Sequence, residues 1–207
     1  MMKQRNRFEE LVPPAAKKQF HTRWAQLESG KKPIAYLAGH IMGFARPSED
    51  NFQRAMNQAF AKLLSGEFAV FLPQVDNPYG TLKKNSQGFE MALVDFEAIR
   101  LCNLLVAVGG FGKDTSVECG HNRCRKPAFL VLPAKKEVEY HNEDWMLMDC
   151  FDAVFVPKGE AGTLDKNGIC APGMKILEFE KLDEIAKRIA EIYCALTCKL
   201  QGIRVHA

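Results

Sequence analysis

The 207-residue sequence has little net charge, +3 at pH 7, and its basic pairs (Lys17-Lys18, Lys31-Lys32, Lys83-Lys84, Lys135-Lys136) are scattered along it. It therefore lacks the basic stripe expected of a nucleic-acid binder. No stretch approaches the roughly 18 apolar residues of a membrane span. The opening MMKQRNRFEELVPP has no apolar core of the kind a secretory signal needs. These absences predict a soluble cytoplasmic protein with neither nucleic acid nor membrane as partner. The seven cysteines include no CxxC pair, and their odd number and irregular spacing indicate reduced thiols. Cys119, His121 and Cys124 form a C-x-H-x-x-C cluster, and Cys194 and Cys198 stand four apart. Buried free cysteine explains such patterns more often than a metal does. Neither metal nor cofactor is expected.

What is present suits one globular domain: 47% hydrophobic and 26% charged residues, in a chain long enough to bury a substantial core. Residues 1–32 are polar and helix-prone, broken at Pro13-Pro14 and stopped at Gly30. They read as a helical N-terminal extension that packs on, or swaps between, subunits. Residues 33–207 read as an α/β domain. Short apolar strands are predicted at Pro33–Gly39, Phe68–Leu72, Leu104–Val108, Ala128–Leu132 and Ala153–Val156. Between them lie helices. One is capped by Ser48, with Phe52, Ala55, Met56, Ala59, Phe60, Leu63 and Leu64 on its apolar face. Others run from Phe89 to Cys102 and from Thr115 to Arg123. A closing helix spans Lys181–Leu200, with Leu182, Ile185, Ile189, Ile192, Tyr193 and Leu196 on one side. Strands alternating with helices predict a single flavodoxin-like or Rossmann-like domain, an approximately five-stranded parallel sheet with helices on both faces. Ligands then bind beyond the carboxyl ends of the strands, here Gly39–Gly43, Pro73–Gly80 and Gly109–Glu118.

The last of these, inside VAVGGFGKDTSVECGH (Val106 to His121), combines a glycine-rich turn with two carboxylates. A P-loop requires G-x-x-x-x-G-K-[ST]; counted back from Gly112-Lys113, Ala107 occupies the first glycine position and Asp114 the hydroxyl position. A dinucleotide turn requires G-x-G-x-x-G; after Gly110 and Gly112, Thr115 stands where the third glycine belongs. Both phosphate motifs fail. Thr115-Ser-Val-Glu118 also fits a capping box, in which Glu118 bonds the Thr115 backbone N–H. A glutamate at a helix start is held ionised by the dipole, and an ionised, fixed carboxylate is what a nucleophile requires. The structural and chemical readings are compatible.

The ordered motifs resemble the nucleoside 2-deoxyribosyltransferases and their nucleotide N-glycosidase relatives over roughly residues 34–156. Ile34-Ala-Tyr-Leu-Ala-Gly39 is similar to the family's first strand, Leu72-Pro-Gln-Val-Asp-Asn-Pro-Tyr-Gly80 to its substrate loop, Asp95 to Val108 to its helix-strand segment, and Asp114 to Gly120 to its acidic loop. The resemblance implies Glu118 as nucleophile, Asp95 and Asp114 as acids near base and sugar, and Tyr36 as the group positioning the nucleophile. It further implies substrate contacts from Gly39, His40, Phe44, Gln74, Asp76, Tyr79 and Gly110. Asn142 is the nearest counterpart of an asparagine that the family lends across a subunit interface. His40 stands where the family usually has proline, and the loop from Asp114 to Glu118 is tighter than in the well-known transferases. Tyr79, Phe44 and Phe111 are candidates to stack on a base.

The implied activity is cleavage of a (deoxy)nucleoside N-glycosidic bond through a glutamyl-glycosyl intermediate, with transfer to a second base, in a homodimer or larger homo-oligomer. Hydrolysis of nucleoside 5′-monophosphates, with Lys113, Arg46 or Lys83 near the phosphate, is the alternative enzyme; it resembles the cytokinin-activating phosphoribohydrolases. A nucleotide-binding regulatory module, with Glu118 only a helix cap, is the alternative without catalysis.

Overall fold

In the computed structural model, the described residues are 6–39, 47–79, 88–109, 113–123, 125–166, 168, 170 and 172–200. Along the chain they form α1 (Arg7–Leu11), α2 (Pro14–Ser29), β1 (Ile34–Gly39), α3 (Pro47–Leu64), β2 (Ala69–Phe71), α4 (Pro73–Asp76), α5 (Gly88–Leu101) and β3 (Leu104–Val108). There follow α6 (Lys113–Asn122), β4 (Ala128–Val131), α7 (Lys135–His141), α8 (Trp145–Met148), β5 (Ala153–Pro157), α9 (Ala161–Leu164), β6 (Lys175–Phe179) and α10 (Asp183–Leu200). All pairings are parallel, in the order β2-β1-β3-β4-β5-β6. The fold is therefore the doubly wound α/β, Rossmann-like architecture expected from the sequence, with six strands rather than five. The sixth, Lys-Ile-Leu-Glu-Phe, is an edge strand whose first residue is exposed, so its apolar run is interrupted by charge.

β1, β3 and β4 are buried along their whole length, as strands covered on both faces must be. Side chains alternate between two cores. Tyr36, Ala38, Leu105 and Ala107 join one, with the inner faces of α2 and α5 and with Cys119 of α6. Ala35, Leu37, Val106 and Val108 join the other, with Phe60 and Leu64 of α3 and Ile185 and Ile189 of α10. Leu182, expected on the closing helix's apolar face, lies before that helix and is exposed.

Residues 7–29 are not a detached arm. Phe8, Val12, Ala16, Phe20, Trp24 and Leu27 are buried in the same core as Tyr36 and Phe71. The break at Pro13-Pro14 becomes the start of α2, where proline's missing N–H costs nothing.

The inward face of α3 departs from the expected apolar stripe. Gln53 and Asn57 take the buried positions ahead of Phe60 and Leu64, while Phe52, Ala55 and Ala59 are exposed. The first turns of α3 pass over the carboxyl ends of β1 and β3 rather than over apolar sheet. A Cβ on Gly39 would stand 2.5 Å from Asn57 Oδ1, and one on Gly109 would stand 2.9 Å from Met56 Cε. Ser48, read as this helix's cap, has its side chain outside the described residues.

Candidate active site

The strand order reverses between β1 and β3: from β1 the chain steps out to β2, then returns to the other side of β1. In open α/β sheets the crevice outside such a switch point is where ligands bind. The two strands are in register, with Gly39 opposite Val108. Gly109 then turns the chain with φ +76°, a conformation that glycine adopts without steric cost.

Three of the four residues the sequence singled out for catalysis come together here. The Tyr36 hydroxyl, rising from β1, donates to Glu118 Oε1 on α6 at 2.7 Å. Asp95 on α5 lies near enough for its charge to act on that hydroxyl. Both acids are only partly buried as whole residues, but protein surrounds their carboxyl groups. Loss of water is the main force on each: it raises Asp95 to about 7 and lifts Glu118 well above the usual carboxylate range, with the Asp95 charge adding to it. The Asn77 hydrogen bond opposes the shift of Asp95, and the Tyr36 hydrogen bond that of Glu118. Tyr36, fully buried and facing two carboxylates, has its own pKa raised and remains a phenol. Both carboxyls are thus pushed toward the protonated form, and the charge of one raises the pKa of the other. This is the arrangement in which one carboxylate can attack while the other supplies a proton.

The fourth, Asp114, lies in the first turn of α6 with its side chain exposed, and its charge adds to the upward pressure on Glu118. The capping-box geometry does not form as the sequence suggested. The helix begins at Lys113, which puts Thr115 inside it, and Glu118 turns its carboxylate to Tyr36 instead.

Asn77 is a site residue that sequence reasoning missed. It is buried, and its Nδ2 donates to Asp95 Oδ1 at 2.8 Å and to the Met91 carbonyl at 3.1 Å. Its Oδ1 accepts from the Tyr79 N–H at 2.9 Å. Every polar atom of this amide is thus committed to fixing Asp95 against the loop after β2.

Several expected substrate contacts have other work. Asp76 Oδ1 accepts from Arg23 Nε, and its Oδ2 from the Leu72 N–H, each at 2.7 Å, so both oxygens brace the backbone. Gln74 donates to the Arg54 carbonyl at 3.0 Å and accepts from Asn57 Nδ2 at 3.3 Å; Asn57 Oδ1 in turn accepts from Gln53 Nε2 at 3.2 Å. The Arg54 carbonyl can only accept, so it fixes the polarity of this whole chain of buried amides. Gly39 provides the space that Asn57 occupies. Tyr79 is buried in the core around Tyr36 and Phe71, so its ring is not an open stacking platform. Asn142 closes α7 as its C-cap. Beside it, buried His141 engages Asp144 Oδ2 at 2.7 Å. His40, Phe44, Arg46, Lys83, Gly110, Phe111 and Cys124, and the side chain of Lys113, lie outside the described residues.

Among the described residues no group of three or more His, Cys, Asp or Glu is placed to hold a metal ion, and no helix is long and apolar enough to cross a membrane. No family model and no curated protein matches the chain. Among solved structures, a conserved protein from Enterococcus faecalis V583 matches with 15% identity over 78% of this chain and 99% of that one, at a TM-score of 0.45. A likeness of that strength says nothing about activity or ligand.

Proposed function

We propose that this protein cleaves the N-glycosidic bond of (deoxy)nucleosides through a covalent intermediate on Glu118 and transfers the glycosyl group to a second base. The observation carrying this reading is the Tyr36 hydroxyl 2.7 Å from Glu118 Oε1, beside an Asp95 whose desolvated carboxyl titrates near 7. A helix cap has no need of a buried phenol, and a salt-bridge network has no need of two desolvated acids side by side.

In the first step a Glu118 oxygen forms a bond to the anomeric carbon as the carbon–nitrogen bond breaks. The bonding pair leaves with the base, which takes the proton held by Asp95. In the second step a nitrogen of the incoming base attacks the same carbon and the ester bond to Glu118 breaks. The proton lost by that nitrogen returns to Asp95. Two displacements replace one difficult substitution. Tyr36 donates to Glu118 in its charged form and so limits the rise in its pKa. This reading also implies a homo-oligomer, checked by light scattering of the purified chain.

The test is chromatography of the protein incubated with 2′-deoxynucleosides, with and without a second free base, alongside Glu118→Gln. The expected result is a new nucleoside that requires the acceptor, with activity reduced at least about 10³-fold in the variant. Base release without acceptor, from nucleoside 5′-monophosphates alone, would replace transfer by hydrolysis. Turnover unaffected in Glu118→Gln would remove Glu118 from the chemistry.

A further inference from the structure

We propose that α2 is a positioning element for the reactive pair, acting through Phe20, Arg23 and Trp24 on two separate routes. The inference rests on reading Asp95 and Glu118 as the reacting groups. These three residues are spaced i, i+3, i+4 and share one face of the helix. On the first route, Phe20 and Trp24 lie 6.0 and 5.8 Å from the Phe71 ring, centroid to centroid. Phe71, on β2, is stacked at 5.8 Å and 14° on Tyr36, whose hydroxyl holds Glu118. On the second route, Arg23 Nε binds Asp76 Oδ1 at 2.7 Å. The next residue, Asn77, holds Asp95.

Neither route runs through substrate, and each ends on a different carboxyl group. The aromatic route sets where the phenol tip can reach, because a stacked ring cannot tilt without displacing its neighbour. The ionic route pins the turn at the end of α4: with Arg23 on one oxygen and the Leu72 N–H on the other, Asp76 fixes the backbone from which Asn77 projects. Arg23 has little to do in the core, since its side chain is 37% exposed while that of Asp76 is 5% exposed. Its pairing with the carboxylate that immediately precedes Asn77 is the feature a purely structural helix would not require.

The experiment compares full-length Arg23→Ala, Arg23→Lys, Trp24→Leu and, as a core control on the opposite sheet face, Leu64→Ala. Carboxyl titrations are followed by NMR on protein labelled in Asp and Glu side chains, with kcat and KM for deoxynucleosides measured across pH. Arg23→Ala is expected to move the Asp95 titration and Trp24→Leu the Glu118 titration. Each lowers kcat roughly 10- to 100-fold with KM unchanged, and Arg23→Lys recovers most of the loss. Leu64→Ala is expected to lower the melting temperature and leave both titrations in place. If the α2 variants lose stability as Leu64→Ala does while both titrations stay put, α2 is only scaffold and the inference falls. If Trp24→Leu does not fold, the half-exposed Arg23 decides alone. A wild-type protein with no activity on nucleosides would sink the proposed function; the NMR titrations would still decide whether α2 positions the acids.

Discussion

Replacing Asp95 by asparagine should make the protein more stable, by a margin that grows between about pH 4 and 7 and is full above that. Between 3.8, the ordinary carboxyl value, and about 7 the folded chain holds a proton that the unfolded chain has released. Stability from this group is therefore complete below pH 4 and is lost as pH rises through 7. A proton held across that interval corresponds to a ceiling of about 4 kcal/mol, at about 1.4 kcal/mol per tenfold step. Asparagine keeps the acceptor that Asn77 needs and removes the ionisation. It also relieves Glu118 of a neighbouring charge. The value of about 7 already includes the opposing Asn77 hydrogen bond, so the expected gain at pH 8.5 approaches about 4 kcal/mol. At pH 5, where Asp95 is protonated in the folded chain but mostly ionised in the unfolded one, the gain should be smaller, about 1.6 kcal/mol. The assay is urea denaturation of both proteins at the two pH values, read as the difference between them so that shared titrations such as His141 cancel. Transfer activity should fall in the same variant. Equal differences at both pH values, or a variant less stable at pH 8.5, would refute a desolvated Asp95.

Tyr36→Phe removes the donor that limits the rise in Glu118's pKa; activity at pH 7 should fall about 10²-fold, with the acid limb of the pH–kcat profile shifted upward. An unmoved acid limb would exclude Tyr36 as the partner of the ionising group. Gly39→Ala drives a methyl to 2.5 Å from Asn57 Oδ1, with the amide locked by Gln53 and Gln74. It should cost about 1–3 kcal/mol in chemical denaturation, and a neutral result would mean the amide chain yields freely.

The central strands were legible because parallel strands buried on both faces must be continuous apolar runs; Leu104–Val108 matches its predicted span residue for residue. β6 alternates charge with apolar residues at the sheet edge, and helices of four to seven residues such as α7, α8 and α9 are too short to show a period. The phase of α3 was misread for a physical reason: hydrophobic spacing locates the face that meets apolar sheet, whereas its first turns meet strand ends, where Gln53 and Asn57 serve. Tyr36, Asp95 and Glu118 could be named as a set because each sits at a regular position on a strand or helix, and motif order carries that information. Asn77 and Arg23 could not, since an asparagine before proline reads as a turn and an arginine on a helix reads as solvated. Their significance exists only once residues 18 and 53 positions away, respectively, are folded against them.

The burial of Trp24 against Phe71 also has a cost in time. A ribosome makes α2 first and β2 afterwards, and at about 5–20 residues per second the intervening chain takes on the order of several seconds to emerge. Throughout that interval Phe20 and Trp24 lack the ring they will pack on, on a nascent helix whose apolar face has nothing to cover it. The same contact that braces the finished site leaves the newborn chain, for those seconds, with a sticky aromatic face open to chaperones and to its neighbours on the polysome.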